Sequence, residues 1–207
     1  VTGAGFTLGG ITIMATVTTP MTTAELLAMP DDGVERWLIR GELREKRAEP
    51  GELPMTIRNR FHSQILAQVI YVLKRWLAQQ SKPRGVVLGG EAGVRLRQDA
   101  ETTVGVDVAY VTAEHMARQT DETTLIDGPP VLAIEILSPS DTQESIDEKM
   151  DTYLGAAVPL VWVIDPHDQT VTVYRPGAAP ELFNIRQEVS AEPHLPGFRV
   201  PVAELFE

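Results

Sequence analysis

Two carboxylates stand in otherwise apolar runs. Asp107 lies within Gly105-Val106-Asp107-Val108-Ala109-Tyr110-Val111, and Glu135 is alone among six apolar residues in Val131-Leu132-Ala133-Ile134-Glu135-Ile136-Leu137. An ionised carboxylate in such a place is costly unless it is paired, hydrogen-bonded or bound to a metal. One such acid reads as half of a buried ion pair with an arginine. Two of them, on two separate strands, shift the balance toward a shared cation site. A lysine, Lys149, follows on a helical pattern in which Ile146, Met150, Tyr153 and Leu154 form the apolar stripe. At three residues from Ile146 and four from Tyr153 it borders the buried side. The competing reading is a surface lysine with its stem laid along the helix, paired with Asp147, Glu148 or Asp151. The chain has no cysteine, and His62, His115, His167 and His194 lack metal-ligand spacing. Carboxylates without soft ligands suit Mg²⁺ or Mn²⁺. Such a metal polarises a phosphoryl oxygen and lowers the pKa of a water. The lysine orients or deprotonates that water and offsets developing negative charge. The substrate that fits this set is a phosphodiester.

These residues need strands and a helix to hold them. Val104–Val111 and Val131–Leu137 read as strands. The second is apolar on both faces, as in a strand covered from both sides. Alternation puts Glu135 on one face with Val131, Ala133 and Leu137. Ser140–Leu154 reads as a helix, with Ser140 and Gln143 at capping-box spacing and Gly155 as its stop. Upstream, Thr22–Met29 reads as a short helix closed by Pro30. Val34–Ile39 and Leu43–Arg47 read as an N-terminal β-hairpin turning at Gly41. After a loop at Pro50–Pro54, the spacing of Phe61, Ile65, Val69, Val72, Leu73 and Trp76 predicts a helix over about 58–79. Gly85–Leu96, Leu160–Ile164 and Thr170–Tyr174 read as further strands. Leu195–Phe198 reads as loop, with a last turn near Val202–Leu205. The fold class is α/β, one domain over 21–207 with a mixed sheet flanked by helices.

The chain has 207 residues, 18 Lys and Arg against 29 Asp and Glu, and a net charge of −11. With 43% hydrophobic residues this is a globular composition, which excludes a disordered chain, a collagen-like fibre and a transmembrane bundle. Residues 1–20 read as a disordered leader. They contain no Lys or Arg to make a secretion signal, so a cytoplasmic location without membrane contact is expected. Charge is uneven: residues 36–97 carry thirteen Lys and Arg against five acids, and residues 98–207 carry five against twenty. The basic block either meets a polyanion, with Arg58 and Arg60 as test positions, or pairs with the acidic half. Phosphate-binding loops, dinucleotide fingerprints, zinc-hydrolase helices and serine-hydrolase elbows are absent from the sequence.

The runs Trp37–Leu43, Arg60–Ser63, Val106–Val111, Val131–Asp141, Asp147–Lys149, Tyr153–Ala156, Val161–Pro166 and Leu195–Phe198 together resemble the Uma family of the PD-(D/E)XK nuclease superfamily, over roughly residues 21–206. The resemblance implies a restriction-endonuclease-like core: a central mixed β-sheet flanked by α-helices, with a metal at the cleft of the sheet. It puts the family's aspartate on Asp107 and its glutamate on Glu135. The backbone carbonyl of Ile136 becomes a further metal ligand, and Glu91 a candidate metal-site acid. The sequence departs from the superfamily pattern twice. Val106 replaces the proline before the aspartate, and Leu137 stands where a lysine is expected two residues after the glutamate. The family supplies that charge from the helix, here Lys149. His62 matches a recurrent family position but reads as a core or cap histidine. Two functions remain open: a Mg²⁺- or Mn²⁺-dependent endonuclease acting on DNA, with a homodimer as the arrangement the fold analogy suggests, and a catalytically silent binding module on the same fold. A hydrolase of phosphate esters or glycans is a minor third.

Overall fold

The computed structural model describes residues 6–8, 11–13, 20–30, 32, 34–46, 59–97, 100–120, 124–139 and 141–207. The 50–54 loop, Arg58 and Ser140 lie outside them. Two short strands, β1 (Phe6–Leu8) and β2 (Ile11–Ile13), pair with each other antiparallel. Helix α1 (Thr23–Leu27) starts at Thr22, whose hydroxyl accepts from the Glu25 N–H while the Glu25 carboxylate accepts from the Thr22 N–H. Strands β3 (Glu35–Ile39) and β4 (Glu42–Lys46) form the expected hairpin. Its two-residue turn has φ of 53° at Arg40 and 77° at Gly41. Two positive φ values in succession match the right-handed twist of the strands. Gly41 is also pressed on Pro20, where a Cβ would come within 2.4 Å of the proline's own.

Helix α2 (Arg60–Ala78) is capped by Asn59, which accepts from the His62 N–H. It buries Ile65, Val69, Val72, Leu73 and Trp76 of the predicted stripe, and Leu77 with them, while Phe61, in the first turn, is exposed with Arg60 over its ring. The two longest strands follow, β5 (Val86–Arg97) and β6 (Thr102–Val111), paired antiparallel. A short helix α3 (Ala113–Met116) and strand β7 (Ile126–Asp127) precede β8 (Leu132–Ile136). Helix α4 (Gln143–Gly155) then crosses to β9 (Leu160–Asp165), parallel to β8, and β10 (Thr170–Tyr174) returns antiparallel. Strand β11 (Glu181–Asn184) extends the edge, and β12 (Glu188–Ser190) pairs with β13 (Arg199–Pro201) before a last 3₁₀ turn over Val202–Phe206.

The nine-stranded sheet runs β11-β10-β9-β8-β6-β3-β4, with β5 on the other edge of β6 and β7 beside β5. One face packs on α2 and the C-terminal segment. There Trp76 meets Tyr110 and Phe198 edge-on, and Trp162 stacks on Phe198. Leu195 and Phe198, expected in a loop, are core residues of this face. The other face packs on α4 through Met150 and Tyr153. Helix α4 begins later than expected. Asp141 turns back to accept from the Ser138 N–H and hydroxyl, which holds the chain in a turn, and the cap falls on Thr142 with Ser145 as its partner. Among the described residues no helix is long and apolar enough to cross a membrane.

Candidate active site

The site forms where one strand ladder is interrupted. On one edge of β6, β8 pairs at Val108, Ala109 and Tyr110, and β3 pairs at Thr103. Residues 104–107 lie between these two neighbours, so β8 and β3 diverge there. The opposite edge carries a bulge: β5 places Gly90 and Glu91 against the single residue between Val106 and Val108, which is Asp107. Gly90 and Glu91 have φ of 82° and 60°. The bulge shifts the phase of β6, so Val106 joins the α4 face while Val108 joins the α2 face. Asp107 therefore stands at the interruption on one edge and the bulge on the other.

Asp107 is buried, and both its oxygens are engaged. Oδ2 accepts from the Ile136 main-chain N–H at 2.8 Å, the group left over where β8 leaves the ladder. Oδ1 lies 3.2 Å from Nε2 of His62, itself buried at the start of α2. Burial opposes ionisation of Asp107, but His62, the Ile136 N–H and the charge of Lys149 outweigh it and hold the carboxyl below its usual range.

Glu135 alternates to the α4 face together with Ala133, as the strand period requires. Its Oε2 accepts from Nζ of Lys149 at 2.8 Å and its Oε1 from the hydroxyl of Tyr153 at 2.5 Å. Lys149 and Tyr153 are one helical turn apart on α4, so one helix face supplies both donors. Burial raises the affinity of Glu135 for a proton, and the negative charge of Asp107 adds to it; Lys149 works the other way without cancelling them. Burial opposes charge on Lys149, yet Glu135, Asp107 and Asp141 together hold the ammonium more firmly protonated than usual. The Tyr153 hydroxyl is pushed well up, by burial first and then by Glu135.

Of the residues singled out in the sequence, Asp107, Glu135, Ile136 and Lys149 meet here. The helical lysine reaches the glutamate that Leu137 cannot serve. Glu91 stands in the bulge, exposed, with its carboxylate laid over Gly105. Among the described residues no three His, Cys, Asp or Glu side chains converge as a metal cage. A cation site would need main-chain oxygen as well. The donor set still fits a hard divalent cation. Two buried carboxylates repel each other at the end of β8, and each of their oxygens, with one hydrogen bond, retains a lone pair. Sequence reasoning missed two participants. His62, which reads as a core or cap histidine, is indeed buried, but its ring faces Asp107. Tyr153 was read as part of an apolar stripe; its spacing of four from Lys149 was the available signal.

Three bases of the basic block pair with carboxylates of the acidic half. Arg44 meets Glu148, Arg75 meets Glu204 and Arg95 meets Asp127. Helix α2 itself contains Arg60, Lys74 and Arg75 and no acid.

The sequence model of the Uma2 family, described as "Putative restriction endonuclease", matches residues 24–203. No curated protein matches the chain. Among solved structures, the chain is similar to one described as a "putative nuclease belonging to DUF820" from Anabaena variabilis ATCC 29413. The TM-score is 0.72 at 21% identity, covering 90% of this chain and 98% of that one. At this identity the likeness is one of fold.

Proposed function

The chain belongs to the Uma2 family, and on that premise we propose that it is a divalent-metal-dependent endonuclease hydrolysing phosphodiester bonds in DNA. The observation that carries the reading is the placement of Lys149 on Glu135, beside Asp107, at the interruption between β8 and β3. The carboxylates of Asp107 and Glu135 would hold Mg²⁺ or Mn²⁺, with the main-chain carbonyl of Ile136 as a third oxygen. When bound, the cation supplies Lewis-acid polarisation of the phosphodiester and activation of the attacking water. The protein's own groups do the rest. His62 and the Ile136 N–H keep the Asp107 carboxylate ionised and fixed in direction. Tyr153 fixes Glu135 in the same way. The protonated Lys149 orients Glu135 and offers positive charge where negative charge develops on the phosphate. Glu91, in the bulge opposite Asp107, would be a further acid of the same metal site. Two copies acting together would cut both strands of a duplex.

The test is cleavage of supercoiled and single-stranded DNA in Mg²⁺ and in Mn²⁺, wild type beside Glu135→Gln. Wild type cuts only with metal, and the variant loses about 100-fold or more, since even groups that merely orient metal ligands are worth 10–100-fold. Calorimetry on both proteins reads metal binding directly. A wild type that neither cuts nor binds metal returns the protein to the alternative of a silent nuclease fold.

A further inference from the structure

A cavity of about 340 Å³ reaches Lys149 and Tyr153, on the α4 side of the candidate site. It lies between α1, the segment leading into β3, the β5 bulge and α4. Its walls are mainly apolar: Leu26, Leu27, Val34, Trp37, Ile39 and Leu125. Leu27 and Val34 are 56% and 37% exposed, so the cavity opens to solvent at that rim. Lys149 and Tyr153 also line it, and these are the two donors to Glu135. The cavity and the candidate active site thus share a wall. Glu91 lines it from the bulge side.

The size and lining are those of a ligand pocket, not of a packing defect. The shared wall narrows the ligand. Whatever enters must tolerate apolar faces and an aromatic neighbour, present a polar edge toward Glu91, and continue into a group that sits at Lys149 and Glu135. A nucleotide meets all three requirements: its base is flat and apolar on both faces, its edge donates and accepts hydrogen bonds, and its phosphate lies a short sugar away. A base within a duplex cannot enter, because its faces are covered by its neighbours. We infer that this cavity takes one unstacked nucleobase of the strand whose phosphodiester lies at Asp107 and Glu135. The inference rests on the nuclease reading for the identity of that phosphodiester, and it adds a preference for single-stranded, frayed or mismatched nucleic acid.

The rim is held in place independently of any ligand. Arg36 donates to both oxygens of Asp32, to the Pro30 carbonyl and to Glu45, which ties the α1–β3 segment to the hairpin. The pocket therefore exists before a base arrives, and little ordering is needed on binding.

The experiment is fluorescence anisotropy with a labelled single-stranded oligonucleotide of mixed sequence and its matched duplex, with Ca²⁺ present to neutralise the carboxylate pair. Wild type binds the single strand about tenfold tighter than the duplex. Val34→Trp, which fills the mouth from the exposed rim, and Trp37→Ala, which removes the aromatic wall, each weaken single-strand binding about tenfold, within the range known for one stacked base. Duplex affinity stays the same in both. Val34→Trp keeps the test decisive if Trp37→Ala fails to fold. Equal single-strand affinity of wild type and Val34→Trp overturns the pocket, as does an absence of single-strand binding by wild type. The same preparations assayed for cleavage separate the two readings. A pocket effect without metal-dependent cutting removes the nuclease and leaves the pocket. Metal-dependent cutting with no effect of Val34→Trp on binding does the reverse.

Discussion

The two faces of the central sheet are built differently. The α2 face holds the larger cluster, with Trp76, Trp162, Leu132, Ile134 and Phe198 closed over by the C-terminal segment. Its polar ties include the Trp76 indole N–H donating to the Pro196 carbonyl at 3.0 Å, and Gln68 and Arg75 donating to Glu204. The α4 face holds a smaller cluster, and its continuity is broken by Glu135, by the donors Lys149 and Tyr153, and by the cavity beside them. One face buries apolar surface, the term that dominates folding. The other gives up part of that surface to place charges in a low-dielectric wall, where they are expensive to bury and effective when used. Under the proposed function, stability and chemistry are separated across the thickness of one sheet, with Asp107 at the seam and His62 reaching it from the α2 side.

Substitutions that respect this separation should have separate consequences. The largest effect on folding is expected for Trp162→Ala. Trp162 is 1% exposed, and truncating such a residue costs about 3–5 kcal/mol. Urea unfolding would show a lower midpoint at unchanged slope, while activity per folded molecule stays as in wild type. Trp162→Phe should lose less, because the indole N–H has no hydrogen bond to lose. Loss of activity beyond the loss of folded protein would erase the distinction between the faces.

Tyr153→Phe probes the other face with a smaller structural change. It removes one hydrogen bond to a buried carboxylate, worth roughly 1.5–3 kcal/mol. Under the proposed function, cleavage falls about tenfold, since about 1.4 kcal/mol of lost stabilisation corresponds to that factor. Tyr153→Phe with wild-type activity would mean that Lys149 alone positions Glu135.

The smallest effect lies at the rim of the cavity. The Arg36 guanidinium beside Asp32 holds its carboxyl at about 2, against an ordinary 3.8. The folded value lies below the unfolded one. The contribution to stability is therefore complete above about 4 and fades as pH falls from there through 2. A carboxyl NMR titration would find the Asp32 midpoint low in wild type and back in the ordinary range in Arg36→Gln. An unchanged midpoint would show that the rim is not held by this pair.

Much of the architecture was legible in the chain. The turn follows from Gly41, and the amphipathic stripe from Ile65 to Trp76, the apolar strand around Glu135 and the side of that strand shared by Glu135 and Ala133 follow from local repeats of 2.0 and 3.6 residues; Phe61, at the same spacing, is exposed. A repeat is a property of the backbone itself, so it can be read without knowing any neighbour. The short elements near the end were less legible. Strands β12 and β13 have three residues each, too few for a repeat to show. Leu195 and Phe198 lie in a loop as expected, but their burial was not legible, because the rings that Phe198 meets, Trp76 and Trp162, are distant in the chain. The cap of α4 falls on Thr142 rather than the expected Ser140 because the Asp141 carboxylate accepts from the Ser138 N–H and hydroxyl, which keeps that stretch in a turn.

Asp107 and Glu135, isolated acids on apolar strands, and Lys149, at the border of a helical stripe, are recognisable as candidate chemical groups from the chain alone. Tertiary structure alone decided that they meet. The interruption of the ladder at residues 104–107 depends on β8 and β3 sharing one edge of β6, although they lie far apart along the chain. The contact of His62 with Asp107 depends on where α2 packs, and the reach of Lys149 depends on how α4 crosses the sheet. Periodicity fixes the direction of a side chain relative to its own strand or helix; only long-range pairing fixes what stands opposite.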